Sequence, residues 1–401
     1  MAPKSVGVLG VGSIADVYVR NAALMRNYRV VAVAGLHAER TAARAAAWGL
    51  SAETPERLVA RDDIDIILNL TPPAAHYATT MAALKAGKHV FSEKTLGATF
   101  PEARALADAA ERDGLRLGVA PDSILGAGLQ KARAMIDAGA IGRPLMATAS
   151  IMYHGADDWH PNPAFFYRAP GGGPVHDVGP YFLAALMVLL GPIQQVSASG
   201  FRGFDTRTFT AEGPQKGMTV PVEVMTSVLA LATFRSGVQA ALTTSWDVWK
   251  NTQPDLEIHG TLGSLSLPHP NWHGGPLKYA RAREDWQVVP LDDNPLARLN
   301  WPPEKPLSSN YRGIGIAEMI DAMDRGEPHR TPADLAAHVV EAADAIVASA
   351  RSGKPVTLSM APSRPAPFGP ADAARLLKGS QTTAEAGELE GRSQPLPMAS
   401  T

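Results

Sequence analysis

The run Gly10-Val11-Gly12-Ser13-Ile14-Ala15 sits between a β-branched stretch at 6–9 and a segment of helical periodicity. In that setting closely spaced glycines do phosphate chemistry. Gly10 permits a tight turn, Gly12 lets a pyrophosphate approach backbone N–H groups, and Ala15 allows close helix–strand packing. Ser13 and Ile14 begin a helix whose positive end faces the anion. The spacing predicts a dinucleotide cradle made by Gly10, Gly12, Ser13 and Ile14.

A ribose-binding carboxylate belongs at the end of the second strand, near residues 35–37. Gly35-Leu36-His37 carries none, and Arg40 follows on the next helix. His37 and Arg40 therefore mark the expected adenosine end, where an arginine suits a 2′-phosphate. NAD and NADP both stay open, with a lean to NADP.

Two more segments end strands at the edge where open α/β sheets bind ligands. One is Asn69-Leu70-Thr71-Pro72-Pro73, with His76 in the helix that follows; the other runs from Ala86 to Ser92-Glu93-Lys94. Thr71, Pro72, His76, Glu93 and Lys94 are expected at the cofactor. Further on, Gly171-Gly172-Gly173-Pro174-Val175-His176-Asp177-Val178-Gly179-Pro180-Tyr181 leads into an apolar helix. Together with the glycine turn, these segments resemble the glucose–fructose oxidoreductase, inositol dehydrogenase and rhizopine catabolism (Gfo/Idh/MocA) family, over about residues 4–355.

The resemblance implies an N-terminal Rossmann domain, and a C-terminal domain whose open sheet walls the substrate cleft and commonly forms an oligomer interface. It implies oxidation or reduction of a secondary alcohol of a sugar, glycoside or cyclitol with NAD or NADP. The family's E-K-P lysine corresponds to Lys94, and its D-x-G-x-H acid and histidine to Asp177 and Tyr181. Thr95 replaces the motif's proline, so the turn presenting Lys94 must be held by other contacts. Tyr181 stands where the family has its histidine, as in a sugar-oxidising branch of similar wording. Lys94 is then expected to stabilise the substrate oxygen, with desolvation bringing its amine toward the working range. Tyr181 would relay the hydroxyl proton, and Asp177 would hold Lys94 or a substrate hydroxyl. Two other readings are NAD-dependent glycoside cleavage by transient ring oxidation and elimination, and a non-catalytic cofactor-sensing regulator on the same scaffold.

The loop at 153–168 is dense in aromatic, amide and charged groups, a mixture suited to carbohydrate faces and hydroxyls. Trp159, His160, Asn162 and Tyr167 are the expected substrate contacts, joined by Asp122 after the fifth strand. The 11 histidines show no metal-ligand spacing, so no metal is expected. No G-x-S-x-G elbow occurs.

These residues need elements to carry them. Short hydrophobic runs at 6–9, 30–34, 66–70, 90–92 and 115–119 alternate with alanine-rich helical segments, the pattern of a parallel sheet covered by helices. Thr99 and Glu102 have capping-box spacing. Beyond Pro121 comes a helix at about 125–138, then alternating runs at 145–152, 193–201, 224–234 and 238–246, which predict an open, largely antiparallel sheet. A late helix has Thr331 as its expected N-cap and Gly353 as its stop. The fold class is α/β: a doubly wound Rossmann domain at 1–122 and an α+β domain for substrate and oligomerisation at 123–358. The segment 361–401 has a single aromatic residue, Phe368, and is expected to be mostly disordered, with a helical turn near 371–378.

Composition narrows the partners. The 401 residues hold 37 Lys and Arg against 39 Asp and Glu, so no basic excess exists for nucleic acid. Cysteine is absent, which excludes disulfides and thiolate chemistry. The longest uncharged apolar run, 181–190, is about half of a membrane span. A cytoplasmic homo-oligomer, dimer or tetramer, acting on a small carbohydrate or polyol is expected, with no membrane and no nucleic acid.

Overall fold

A computed structural model describes residues 2–379. Its first layer is a six-stranded parallel sheet of β1 (Lys4–Leu9), β2 (Tyr28–Ala34), β3 (Ser51–Glu53), β4 (Ile66–Asn69), β5 (His89–Ser92) and β6 (Leu117–Val119), in the order β3-β2-β1-β4-β5-β6. Helices α1 (Ser13–Ala22), α2 (Ala38–Trp48), α3 (Pro55–Ala60), α4 (Pro73–Lys85) and α5 (Phe100–Arg112) connect these strands. β4 is buried along its whole length, as a strand covered on both faces must be. β3 departs from the expected five strands; it is an edge strand of three residues, too short to show a period. Strand order reverses between β1 and β4, where a doubly wound sheet opens its ligand crevice.

The second sheet has nine strands in the order β16-β15-β14-β13-β7-β12-β11-β8-β17. They are β7 (Pro144–Met152), β8 (Ile193–Phe201), β11 (Ser227–Phe234), β12 (Gln239–Ser245), β13 (Leu256–Gly260), β14 (Gly263–Leu267), β15 (Leu277–Arg281), β16 (Gln287–Val289) and β17 (Val356–Thr357), with β9 (Thr206–Thr208) and β10 (Thr219–Pro221) forming a separate ribbon. Most pairs are antiparallel, but β7 and β12 run parallel, so the sheet is mixed at its centre. One face packs against α8 (Gly179–Leu190), in which every residue is buried, and against the long α10 (Ala333–Ser352). α10 also packs on α5 and so holds the two sheets' layers together.

Two expectations about helix ends need correction. α10 begins at Ala333 with Pro332 as its N-cap, one residue later than Thr331 suggests. Thr99 makes no side-chain cap, and the Glu102 carboxylate reaches past it to the Ala98 amide at 2.7 Å, so neither half of the box forms. α6 (Ala127–Asp137), α7 (Pro174–Asp177) and α9 (Ile314–Arg325) supply the remaining supports.

The expected disorder of 361–401 is overturned for 361–379. Phe368 is 1 % exposed, and the chain turns through α11 (Pro370–Leu376) into a bridge between Leu377 and Met25. A few well-placed apolar anchors and backbone bonds such as Arg26 N–H to the Leu376 carbonyl, at 2.9 Å, suffice where average composition argues against order. Residues 380–401 lie outside the described residues. Among the described residues no helix is long and apolar enough to cross a membrane.

Candidate active site

The glycine turn is shaped by close approach. Gly10 has φ +104°, and a Cβ there would lie 2.5 Å from the Leu70 carbonyl at the end of β4. Gly12 is the N-cap of α1, makes no side-chain cap and faces open space. That is a cradle: free amides at a helix start with room for an anion. Ser13 is exposed and Ile14 half-buried beside it. The residues present therefore fit a dinucleotide pyrophosphate.

At the adenosine end His37 is exposed and caps α2 without a side-chain bond, and Leu36 is 91 % exposed. The Arg40 guanidinium donates to the Val11 carbonyl at 3.3 Å; Arg44 reaches the Gly12 carbonyl at 3.5 Å and pairs with Asp16 at 2.5 Å. Two guanidinium groups therefore flank the turn with no carboxylate at the tip of β2. Sequence reading singled out only Arg40.

The loop after β4 is braced from below. Asn69 is fully buried and its carboxamide binds the Thr71 amide and hydroxyl as well as Thr79 and Thr80. Pro72 is exposed at the start of α4 and Thr71 half-buried. His76, expected at the cofactor, is only 1 % exposed. Its ring nitrogens lie 2.7 Å from the Thr95 carbonyl and 2.6 Å from the Thr71 carbonyl. It is corrected to a brace joining the two loops. With the Thr95 hydroxyl on the Gly97 carbonyl at 2.8 Å, this supplies the restraint that proline would have given.

Beyond β5, Glu93 accepts from the Tyr18 hydroxyl at 2.8 Å and from the Lys94 amide at 3.0 Å. Burial, then Glu93 and Asp122, push the Tyr18 phenol well above its ordinary value, so it stays a donor. The Lys94 ammonium lies 2.7 Å from the Asp177 carboxylate and 2.7 Å from the Asp177 carbonyl. Burial alone would lower its pKa; Asp177, Tyr181 and Glu93 outweigh that and hold it above the ordinary lysine value. The expected lowering by desolvation is thus reversed, and Lys94 is an ammonium at neutral pH. Its stem borders an apolar cavity lined by Leu96, Pro121, Ile124, Pro180 and Leu335.

Asp177 ends α7, and neighbouring His176 is fixed to Asp344 of α10 at 3.0 Å. Tyr181 lies in the first turn of α8, with the Lys94 ammonium 5.5 Å from its ring centre. Its hydroxyl oxygen accepts from Arg312 at 3.3 Å. Tyr153 borders this group, since burial and then Asp177 push its phenol well up. Lys94, Asp177 and Tyr181 thus come together beside Glu93, and sequence reading missed Arg312, Tyr18 and Tyr153. The one available signal for Arg312 was its isolation, as the only charged residue in 306–317.

Two of the other expected substrate contacts are spent elsewhere. Asp122 is 1 % exposed and accepts from the Gly313 and Gly315 amides at 2.7 and 3.1 Å, fixing the entry to α9. Tyr167 is fully buried, its hydroxyl accepting from the Ala156 amide at 3.2 Å. Both are corrected to scaffold residues. Trp159 is half-buried, with its indole N–H on the Gly155 carbonyl at 2.7 Å. His160 packs against Phe165 and Phe166 and accepts from the Asn162 amide at 3.0 Å; Asn162 itself is exposed.

Comparison with known proteins covers both sheets. Residues 4–120 match the oxidoreductase family with an NAD-binding Rossmann fold, and residues 129–266 match the GFO/IDH/MocA C-terminal domain. The chain is 32 % identical to the dTDP-3,4-didehydro-2,6-dideoxy-alpha-D-glucose 3-reductase of Streptomyces violaceoruber, over 73 % of this chain and 82 % of that protein. It is 30 % identical to the 1,5-anhydro-D-fructose reductase of Ensifer adhaerens, over 65 % of this chain and 74 % of that protein. In fold it is similar to levoglucosan dehydrogenase solved with NADH and L-sorbose, at a TM-score of 0.77 and 22 % identity, over 90 % of this chain and all of that one. A glycine cradle, a lysine–aspartate pair at its edge and matches over both sheets lead to one conclusion: the chain belongs to the Gfo/Idh/MocA family of oxidoreductases.

Proposed function

We propose that this protein transfers hydride between a nicotinamide cofactor and a secondary hydroxyl of a sugar, glycoside or cyclitol. The observation carrying this reading is the Lys94 ammonium, held by Asp177 beside Tyr181 at the edge of the sheet that bears the glycine turn. In this reading residues 1–122 hold the cofactor and 123–358 the substrate. Gly10, Gly12, Ser13 and Ile14 would hold the pyrophosphate, with Thr71, Pro72 and Glu93 toward the nicotinamide. Bound nicotinamide supplies hydride acceptance or donation. Lys94 donates two of its three N–H bonds to Asp177 and keeps one for the reacting oxygen, whose negative charge it stabilises. Tyr181 carries the hydroxyl proton, and Trp159, His160 and Asn162 would contact the rest of the sugar.

Relatives named for sugar chemistry, D-xylose dehydrogenase and D-glucoside 3-dehydrogenase among them, support a carbohydrate substrate. The missing carboxylate near 35–37 and the flanking Arg40 and Arg44 support NADP over NAD. A homodimer or tetramer is supported by the outer face of the nine-stranded sheet, where Phe201, Leu229 and Leu231 are 56, 54 and 61 % exposed.

The test is a panel of D-xylose, levoglucosan, methyl glucosides, myo-inositol and 1,5-anhydro-D-fructose, each with NAD(H) and NADP(H). Reduced-nicotinamide absorbance and sugar analysis are followed together. Turnover of at least one sugar, faster with NADP(H), is expected. Cofactor binding without turnover of any sugar would overturn the reading in favour of a regulator, and sugar cleavage without net nicotinamide change in favour of elimination chemistry.

A further inference from the structure

Arg312 is 4 % exposed, and among the described residues no carboxylate lies within the 4.0 Å ion-pair distance of its guanidinium. Burying a cation is costly, and with Glu93 and Asp122 acting on it only from beyond contact, the groups it bonds directly matter. They are the Asn310 carboxamide at 2.9 Å, the Asn271 carboxamide at 2.5 Å and the Tyr181 hydroxyl at 3.3 Å. The segment bearing it is fixed from several sides. Asn21 of α1 donates to the Asn310 and Arg312 carbonyls at 2.8 and 3.0 Å, and Asp122 holds the Gly313 amide.

A guanidinium has donors and no acceptor. The Tyr181 oxygen must therefore accept from Arg312, and its own O–H must point elsewhere. Among the described residues the accepted bond is the only one Tyr181 Oη makes, which leaves that proton without an acceptor in a side chain whose ring lies beside the Lys94 ammonium.

We propose that Arg312 is the positioning residue of the proton transfer, aiming the Tyr181 O–H at the substrate oxygen and holding the charge left behind. In the reducing direction the carbonyl carbon would take a hydride from reduced nicotinamide, which is oxidised as its C–H bond breaks; the C=O π pair moves onto oxygen, the Tyr181 O–H bond breaks, and its proton goes to that oxygen. The phenolate that remains faces the guanidinium, and oxidation is the reverse. This rests on the reading above that Tyr181 carries the proton.

The experiment is a double-mutant cycle of Arg312→Met and Tyr181→Phe, with Arg312→Lys alongside, using the fastest sugar–nicotinamide pair of the panel. Nicotinamide fluorescence checks that each variant still binds cofactor. Arg312→Met is expected to lower kcat by about 10–100-fold with cofactor affinity unchanged, Arg312→Lys to recover part of it, and Arg312→Met to cost little more once Tyr181 is Phe. Independent, multiplying losses would overturn the proposal, as would loss of cofactor binding in both Arg312 variants, which marks a scaffold role. A fully active Arg312→Met beside a damaged Tyr181→Phe sinks the proposal alone. A fully active Tyr181→Phe sinks the proposal together with the proton role of Tyr181. A panel without turnover removes the reaction on which both depend.

Discussion

The Lys94 ammonium touches Asp177 twice, at the carboxylate and at the main-chain carbonyl, each at 2.7 Å. The two residues are 83 positions apart, one just after a strand of the parallel sheet and the other at the end of a short helix packed on the nine-stranded sheet's side. The pair exists only when the two layers are docked, so the reacting group is assembled by the fold as a whole. Two contacts fix the amine's direction and leave one proton for a substrate oxygen.

Removing the carboxylate tests that coupling. In Asp177→Asn, burial of Lys94 loses its largest counterweight, so the amine gives up its proton at a lower pH than in the native protein. The pH–rate profile of kcat is expected to fall off earlier on the alkaline side, with kcat down about 100-fold. An unchanged alkaline limb would separate Asp177 from the charge of Lys94.

Cofactor choice is expected to follow Arg40. Among the described residues its guanidinium reaches only the Val11 carbonyl, at 3.3 Å, whereas Arg44 is also bound by Asp16. Arg40→Ala should lower kcat/KM with NADP about tenfold, the loss of one charge-assisted contact, and leave NAD little changed. Equal losses with both cofactors would point to a shared role at the pyrophosphate.

Acid stability is expected to depend on Glu341. Burial would raise its carboxyl, but bonds from His338, Ser359 and Met360 hold it down to about 2 from an ordinary 4.5. A carboxyl depressed by folding adds stability above its unfolded value and loses it as pH falls through the folded one. Glu341→Gln should therefore lower Tm at neutral pH, and its gap from the native protein should narrow between about 4.5 and about 2. A gap that stays constant on acidification would contradict this.

The outer sheet face offers a test of assembly. Leu229 and Leu231 point away from the core on β11 while Val228, Ala230 and Ala232 are buried, so a charge at Leu231 leaves the core untouched. Leu231→Lys is expected to reduce the mass seen by light scattering to that of one chain. A mass unaltered by the substitution would place the subunit contact elsewhere.

Much of this was legible because periodicity and turn chemistry are local. The hydrophobic runs gave the strands β1, β2, β4, β5 and β6, and the glycine turn stood in the context that gives it meaning. Strands β13–β16 went unread because Gly, Pro and Asn interrupt the segment 256–289, where long-range pairing rather than local pattern makes the sheet. Asp122, Tyr167 and His76 were misread for one physical reason: the groups that bind sugars or cofactors also satisfy buried backbone. Arg312 lies 131 residues from Tyr181, and no spacing rule links them.

The most direct measurement is steady-state turnover of Lys94→Ala on the fastest sugar–nicotinamide pair, alongside dinucleotide affinity from nicotinamide fluorescence. The account predicts turnover lowered by at least about a thousandfold with affinity close to native. Near-native turnover would contradict it, because the ammonium held on Asp177 would then have no part in the reaction.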